Sequence, residues 1–375
     1  MPAVTAPPQP QPPAGSGRPG SSGSADGSGA RRGPTRGAAV RRTALLLAAA
    51  LLLAVSVLLS LALGARSIPP AQVWDVLVQG LVHGDAGAAG DKAAEVIWSL
   101  RLPRTVVGLL VGAGLGLAGT VMQGLTRNPI AEPGILGISQ GASVGVVLAI
   151  AFAGVHTLAG YVWFAFLGSA VAGVAVYAIA VRGRGGATPV KLALAGAAVN
   201  ALLVSVISGV LTTRAATLDE FRFWQIGSLA GRGLDVAGQI WPFLLAGLVL
   251  VLSVARGLDA LALGEDVAKG LGQNVAAVRI TGGLGATVLT GGAVAAAGPI
   301  AFVGLAVPHL ARALVGTGHR WLLPMAALLG PVMLLVADVV GRLVLPPGEV
   351  PAGVMTALIG VPFLVTLVRR KAVAA

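Results

Sequence analysis

The sequence predicts an all-α polytopic membrane protein of about ten transmembrane helices with an inverted internal repeat. Three observations carry this. Hydrophobic residues make up 55% of the 375-residue chain and charged ones only 11%, against about 25% charged in a soluble domain. Apolar runs near 20 residues recur, the length of helix that crosses a hydrocarbon layer about 30 Å thick. A polar, proline-bearing stretch, "GLTRNPIAEPGILGISQGAS" at 124–143, interrupts the oily chain and has a partial echo at 298–305.

The elements follow in order. Residues 1–42, with "PPQPQPPAGSGRPGSSGSADGSGARRGPTRG" at their centre, are rich in Pro, Gly, Ser and Arg. Such a segment cannot bury a core, so it is expected to be a disordered cytoplasmic arm. Residues 43–371 form the ten-helix domain. Its first run, Thr43 to Gly64, carries no charge. It exceeds the roughly 7–15 apolar residues of a signal peptide and reads as a first transmembrane helix. The remaining spans are expected at 104–125, 134–154, 158–181, 189–211, 238–255, 280–297, 299–316, 321–341 and 351–368. With the amino terminus inside, the inner gaps and tails hold most of the Lys and Arg, which places both termini in the cytoplasm by the positive-inside rule.

Glycine is concentrated in these spans, as in "GLLVGAGLGLAG" at 108–119. Small residues let helices approach closely in lipid, where no hydrophobic force joins them. "NPIAEPGI" from residue 128 aligns with "GPIAFVGL" from 298, pairing Pro129 with Pro299, Ile130 with Ile300, Ala131 with Ala301 and Gly134 with Gly304. Five spans separate the copies, so the second is inverted, a pattern of transporters. "LDEFRFWQIGSLAG" at 218–231 is expected to be an interfacial helix with Phe221, Phe223 and Trp224 at headgroup level.

Composition also excludes functions. The net charge of +12 sits in gaps between apolar runs, not on the dense polar face of a nucleic-acid binder. With no cysteine, disulfide and thiolate chemistry are absent. No G-x-x-x-x-G-K-[ST] phosphate loop occurs. The four histidines lack metal-ligand spacing, and no hydrolase motif appears. The chain is expected to be no enzyme and to need no cofactor or metal.

The inner gap "ARGLDALALGEDVAKGLGQNVAAVR" stands out. Its "LGEDVAKGLG" reads as a short helix with Glu265 and Asp266 at the positive amino end, closed by glycines. It is either a solvated loop helix or a docking knob for a soluble partner.

At this point several ordered blocks, "LRLPRTVVGLLVGAGLGLAGTVMQGLTRNPIAEPGILGISQGASVG", "FWQIGSLAG", "LGEDVAKGLG", "GPIAFVGLAVPHLAR" and "LLVADVVGRL", resemble the permease subunits of ABC importers for iron–siderophore complexes, heme and cobalamin. The resemblance runs from about residue 44 to the carboxyl end. It implies the type II ABC importer permease fold and alternating access in the cell membrane. It also implies three partners: ABC ATPase subunits, an extracytoplasmic substrate-binding protein, and a second permease copy or homologous permease. In that family the segment matching Gly264, Glu265, Asp266, Val267, Ala268, Lys269, Gly270, Leu271 and Gly272 fits a cleft on the ATPase and couples it to the helices. The residues matching Asn128, Pro129 and Ile130 close the cytoplasmic mouth. Arginines at positions such as Arg101, Arg104 and Arg342 accept carboxylates from the binding protein, and the helix bearing Asn200, Ser205 and Ser208 borders the pathway.

Rival readings of these residues stay open. The arginines could be interfacial anchors, and Arg342 could pair with Asp338 at i,i+4. A secondary transporter driven by an ion gradient would need Glu132 or Asp338 as carrier, but both lie near span ends where water is expected. An anchor for a sensory complex is the remaining alternative.

Overall fold

A computed structural model describes residues 36–64, 66–83, 92–182, 188–346 and 348–373. Most of the proline-rich arm therefore lies outside the described residues. Helix α1 runs Arg36–Ala62, so the boundary drawn at residue 43 falls inside it. Next come α2 (Pro70–His83) and α3 (Lys92–Val96). A π-helical turn, Ile97–Arg101, joins α3 to α4 (Leu102–Thr126). Pro103 cannot donate to the preceding turn, and the widened π turn absorbs that defect. The second membrane helix is thus continuous from Lys92 to Thr126, and its expected start at 104 is corrected to a point 12 residues earlier.

The chain continues through α5 (Ile138–Ala153), α6 (Leu158–Val181), α7 (Pro189–Thr213), α8 (Ala215–Gln225), α9 (Leu234–Ser253), α10 (Ala255–Ala262) and α11 (Glu265–Gly270). It ends with α12 (Val275–Ala297), α13 (Val303–Val315), α14 (His319–Val344) and α15 (Ala352–Val373). Each of the ten expected spans falls on one of these helices. Among the described residues seven are long and apolar enough to cross a membrane, while Ile138–Ala153, Val303–Val315 and Ala352–Pro362 are shorter apolar helices. The first two are short because an irregular turn precedes each and takes the place of helix.

Helix α4 is the hub. It packs against α9, α12, α13 and α14, and 78% of its most apolar window is buried. Glycines permit this. A Cβ on Gly119 would overlap the Gly304 carbonyl, and one on Gly112 would meet the Pro331 backbone. Backbone dispersion at such seams is what holds helices together in lipid. By contrast, α1 and α7 are each 22% buried over their apolar windows.

One expectation is corrected. Phe221 and Trp224 on α8 are 0% and 2% exposed, and only Phe223, at 68%, faces outward. The helix folds its aromatic face onto the body instead of laying it in the interface. Glu220 fastens it there by pairing with His156 at 2.9 Å and accepting from the Tyr161 hydroxyl.

Candidate functional site

Three groups of residues stand at the two ends of the bundle, and the knob formed by α10 and α11 is the most developed. Helix α10 buries Leu258 and Leu261, and Gly257 admits the Val278 side chain of α12. Gly264 follows at φ 115, a conformation suited to glycine, and Gly272 closes α11 at φ 78. Asn274 caps α12, its Oδ1 accepting from the Ala277 amide at 3.0 Å.

Two polar links bolt the knob to the long helices. Glu265 accepts from Arg279 of α12 at 2.8 Å and pairs with Lys269 at 3.1 Å. Hydrogen bonds from Lys269 and then Arg279 hold its carboxyl below the usual range. Asp259 of α10 accepts from the His319 amide at 2.8 Å and meets its ring Nδ1 at 2.7 Å, at the start of α14. Leu258 also approaches Gly124 of α4. A push on the knob therefore reaches α4, α12 and α14 together. On its outer surface Leu263, Val267 and Leu271 are 65%, 49% and 61% exposed, while Ala268 is the buried anchor. Apolar side chains on a polar protrusion mark a surface that another protein covers.

The second group is the turn after α4, at the same end. Arg127 takes a left-handed conformation at φ 51. Asn128 then forms an Asx turn, its Oδ1 accepting from the Ile130 amide at 3.1 Å and its carbonyl from Ala131 at 3.2 Å. Pro129 needs no acceptor, and Ile130 is 54% exposed. Glu132 follows in extended conformation, and Pro133–Leu136 form a 3-10 turn ending at Gly137, φ 74. Glu132 has no ion-pair partner among the described residues, and burial pushes its carboxyl up.

The repeat copy turns at the opposite end of the bundle. Gly298 at φ 75 and Phe302 at φ 69 bracket it, beneath the end of α8, where the Ala297 carbonyl accepts from the Ser228 amide at 2.8 Å. The two breaks thus follow α4 and α12 on opposite faces, the arrangement expected of an inverted repeat. Between them Gln123 of α4 reaches the Gly304 and Leu305 carbonyls at 3.4 and 3.3 Å and accepts from Arg312.

The third group is the rim at the end of the bundle opposite the knob. Arg101, 6% exposed, donates to the Leu61 carbonyl at 2.6 Å and to the Arg66 carbonyl. Arg104 forms a fork on Asp338, with its Nη2 at 2.7 Å, and reaches Glu349 at 2.8 Å. Arg342 donates to the Ser60 and Leu63 carbonyls at 3.1 and 2.9 Å and stands 3.3 Å from Asp338. All three guanidinium groups are thus engaged inside the chain, where they tie α1, α4 and α14 together. The i,i+4 pair forms, but Asp338 is 0% exposed, so the expectation of water around it is corrected. On α7, Asn200 reaches the Gly134 carbonyl at 3.5 Å, while Ser205 donates to its own helix at Ala201. Ser205 and Ser208 stand on an exposed face.

Asp259, His319, Arg279 and Gln123 were not singled out in the sequence. Asp259 and His319 lie 60 residues apart, and no local pattern joins them.

An all-helical body with inverted breaks, a buried hub and a knob at one end defines a membrane transport permease. Residues 52–370 match the FecCD transport family, and the chain belongs to that family. It is 44% identical over 283 residues to the probable siderophore transport system permease protein YfiZ of Bacillus subtilis (strain 168), covering 76% of this chain and 85% of that one. It is 43% identical over 313 residues to the ferric enterobactin transport system permease protein FepD of Escherichia coli (strain K12), covering 83% and 91%. A solved structure described as an inward-facing conformation of a metal-chelate type ABC transporter superposes with a TM-score of 0.73 at 31% identity, covering 88% of this chain and 99% of that one.

Proposed function

We propose that this chain is the membrane-spanning permease subunit of an ATP-driven ABC importer that takes up iron–siderophore complexes by alternating access. Separate ATPase subunits hydrolyse the ATP and grip residues 264–272. An extracytoplasmic binding protein delivers cargo to the outer rim, and a second copy or a homologous permease completes the pathway beside α7. Both termini, with the arm of residues 1–42, lie in the cytoplasm, and residues 43–371 form the transport body. The observation that carries this reading is the knob. It has an apolar outer face for a partner and two polar links, Glu265–Arg279 and Asp259–His319, that pass displacement to α12 and α14, while Leu258 packs toward Gly124 of α4. The names of two relatives, a probable siderophore transport permease and a ferric enterobactin transport permease, support an iron-chelate cargo.

Within this reading, Asn128, Pro129 and Ile130 form a stiff inner gate, and Asn200, Ser205 and Ser208 border the pathway. Arg101, Arg104 and Arg342 act at the outer rim by fixing the shape the binding protein meets, since their charges are already engaged. Encounter then depends on that shape more than on free charge.

The test is reconstituted uptake with the ATPase and binding protein. Scrambling residues 264–272 is expected to leave insertion intact, keep basal ATP hydrolysis, and abolish uptake. Unchanged ATP-driven uptake would overturn the coupling role. Competition among labelled iron–siderophore, heme and cobalamin then fixes the cargo.

A further inference from the structure

A groove that shares Arg279 with the knob's attachment runs between α6 and α12, with the inner half of α4 as its floor. It encloses about 340 Å³. Its walls are almost entirely hydrocarbon, including Leu125, Phe166 and Val288, so water would find few polar partners there. Gly283 lies on its wall, and a Cβ there would meet nothing within 4 Å. Its rim residues Val174, Ile280 and Leu284 are 69%, 48% and 51% exposed, so the groove opens sideways from the bundle. At the inner end stands one cation, Arg279. Its Nη2 is held by Glu265 and its Nε is buried with no hydrogen-bond partner. Among the described residues its Nη1 donates to nothing in the protein.

We infer that this groove holds one acyl chain of an anionic inner-leaflet phospholipid, with the headgroup phosphate on Arg279. An apolar slot ending in an underused guanidinium at the inner surface is complementary to tail and head at once. Basic pockets between membrane helices bind acidic lipid headgroups for this reason. A neutral lipid would fill the slot but leave the guanidinium without its counter-charge. The inference rests on the membrane placement of α6 and α12 and needs no ATPase, so its failure is separate from any failure of the coupling reading.

The experiment is native mass spectrometry of the detergent-purified full chain during stepwise delipidation, with phosphatidylglycerol and phosphatidylcholine as probes. The wild-type chain is expected to retain phosphatidylglycerol preferentially. Arg279→Gln should weaken that retention about tenfold, the scale of one charge-assisted hydrogen bond. Glu265→Gln frees the guanidinium and should strengthen it. Gly283→Phe fills the slot and should remove both lipids. The chain has no cysteine, so a nitroxide on Gly283→Cys reports on the same groove even if the Phe variant fails to insert. Broadening of its signal by lipid-dissolved oxygen supports the inference. Shielding of the label by a second copy of the chain, or equal retention of both lipids in all variants, overturns it.

Discussion

Two of the carboxylates set within this body, Asp338 and Glu132, have opposite consequences. Asp338 is fully buried yet faces Arg104 and Arg342. Asp338→Ala would leave Arg342 without its ion-pair partner and Arg104 with Glu349 alone, a loss of about 3–5 kcal/mol. Thermal unfolding in detergent should show it as a sharply lowered midpoint, while a wild-type midpoint would mean the arginines find other acceptors. Glu132 is the reverse case, raised by burial with no countercharge among the described residues. A carboxyl whose folded pKa lies above its unfolded value, about 4.3, favours folding when protonated, and that favour is lost as pH rises through the folded value. Glu132→Gln should therefore stabilise the chain at pH 7 and change little at pH 4, as read from unfolding midpoints at both. The i,i+4 spacing made Asp338 and Arg342 legible as a pair. Arg104 joins them across 234 residues of sequence, which no spacing rule reaches.

At the scale of elements, the knob was legible and its attachment was not. Two glycines around an acidic first turn were enough to predict a short helix within 264–272, and α11 lies there. Helix α10 was not foreseen, because eight residues of amphipathic chain fall below any membrane-span criterion. Its contacts with α4 and α14 depend on residues remote in sequence. Helix α2 was missed for the same reason, although Val73 and Val76 turn inward, fully or nearly buried. The φ of 115 at Gly264 is what orients α11 relative to α10. Gly264→Ala is expected to cost about 1 kcal/mol or more locally, to tilt the knob, and to lower ATP-driven uptake several-fold while insertion is unchanged. Uptake equal to wild type in reconstituted vesicles would show that the tilt of α11 is immaterial.

At the scale of the whole molecule, hydropathy located the ten spans because lipid imposes one length on every crossing helix. It placed the ends less well where prolines, a π turn or a half-helix alter that length, as at 92–104 and 298–303. The side of the membrane on which each end lies is a separate matter, argued from the Lys and Arg distribution. A cysteine-free chain makes that directly measurable. Val267→Cys should react with an impermeant maleimide only from the cytoplasmic side, and Arg222→Cys only from the outside. Reversed labelling would invert the topology and remove the basis for ATPase docking at the knob.

The glycine seams around α4 have a mechanical consequence. Where Gly112 meets Pro331 and Gly119 meets Gly304 with no side chain between them, neighbouring helices are keyed like gears, and sliding by a fraction of a turn would drive main chain into main chain. The central cluster must then travel as one solid block. Whatever opens and shuts has to do so at its margins, where α1 and α7 keep most of their surface free of the block.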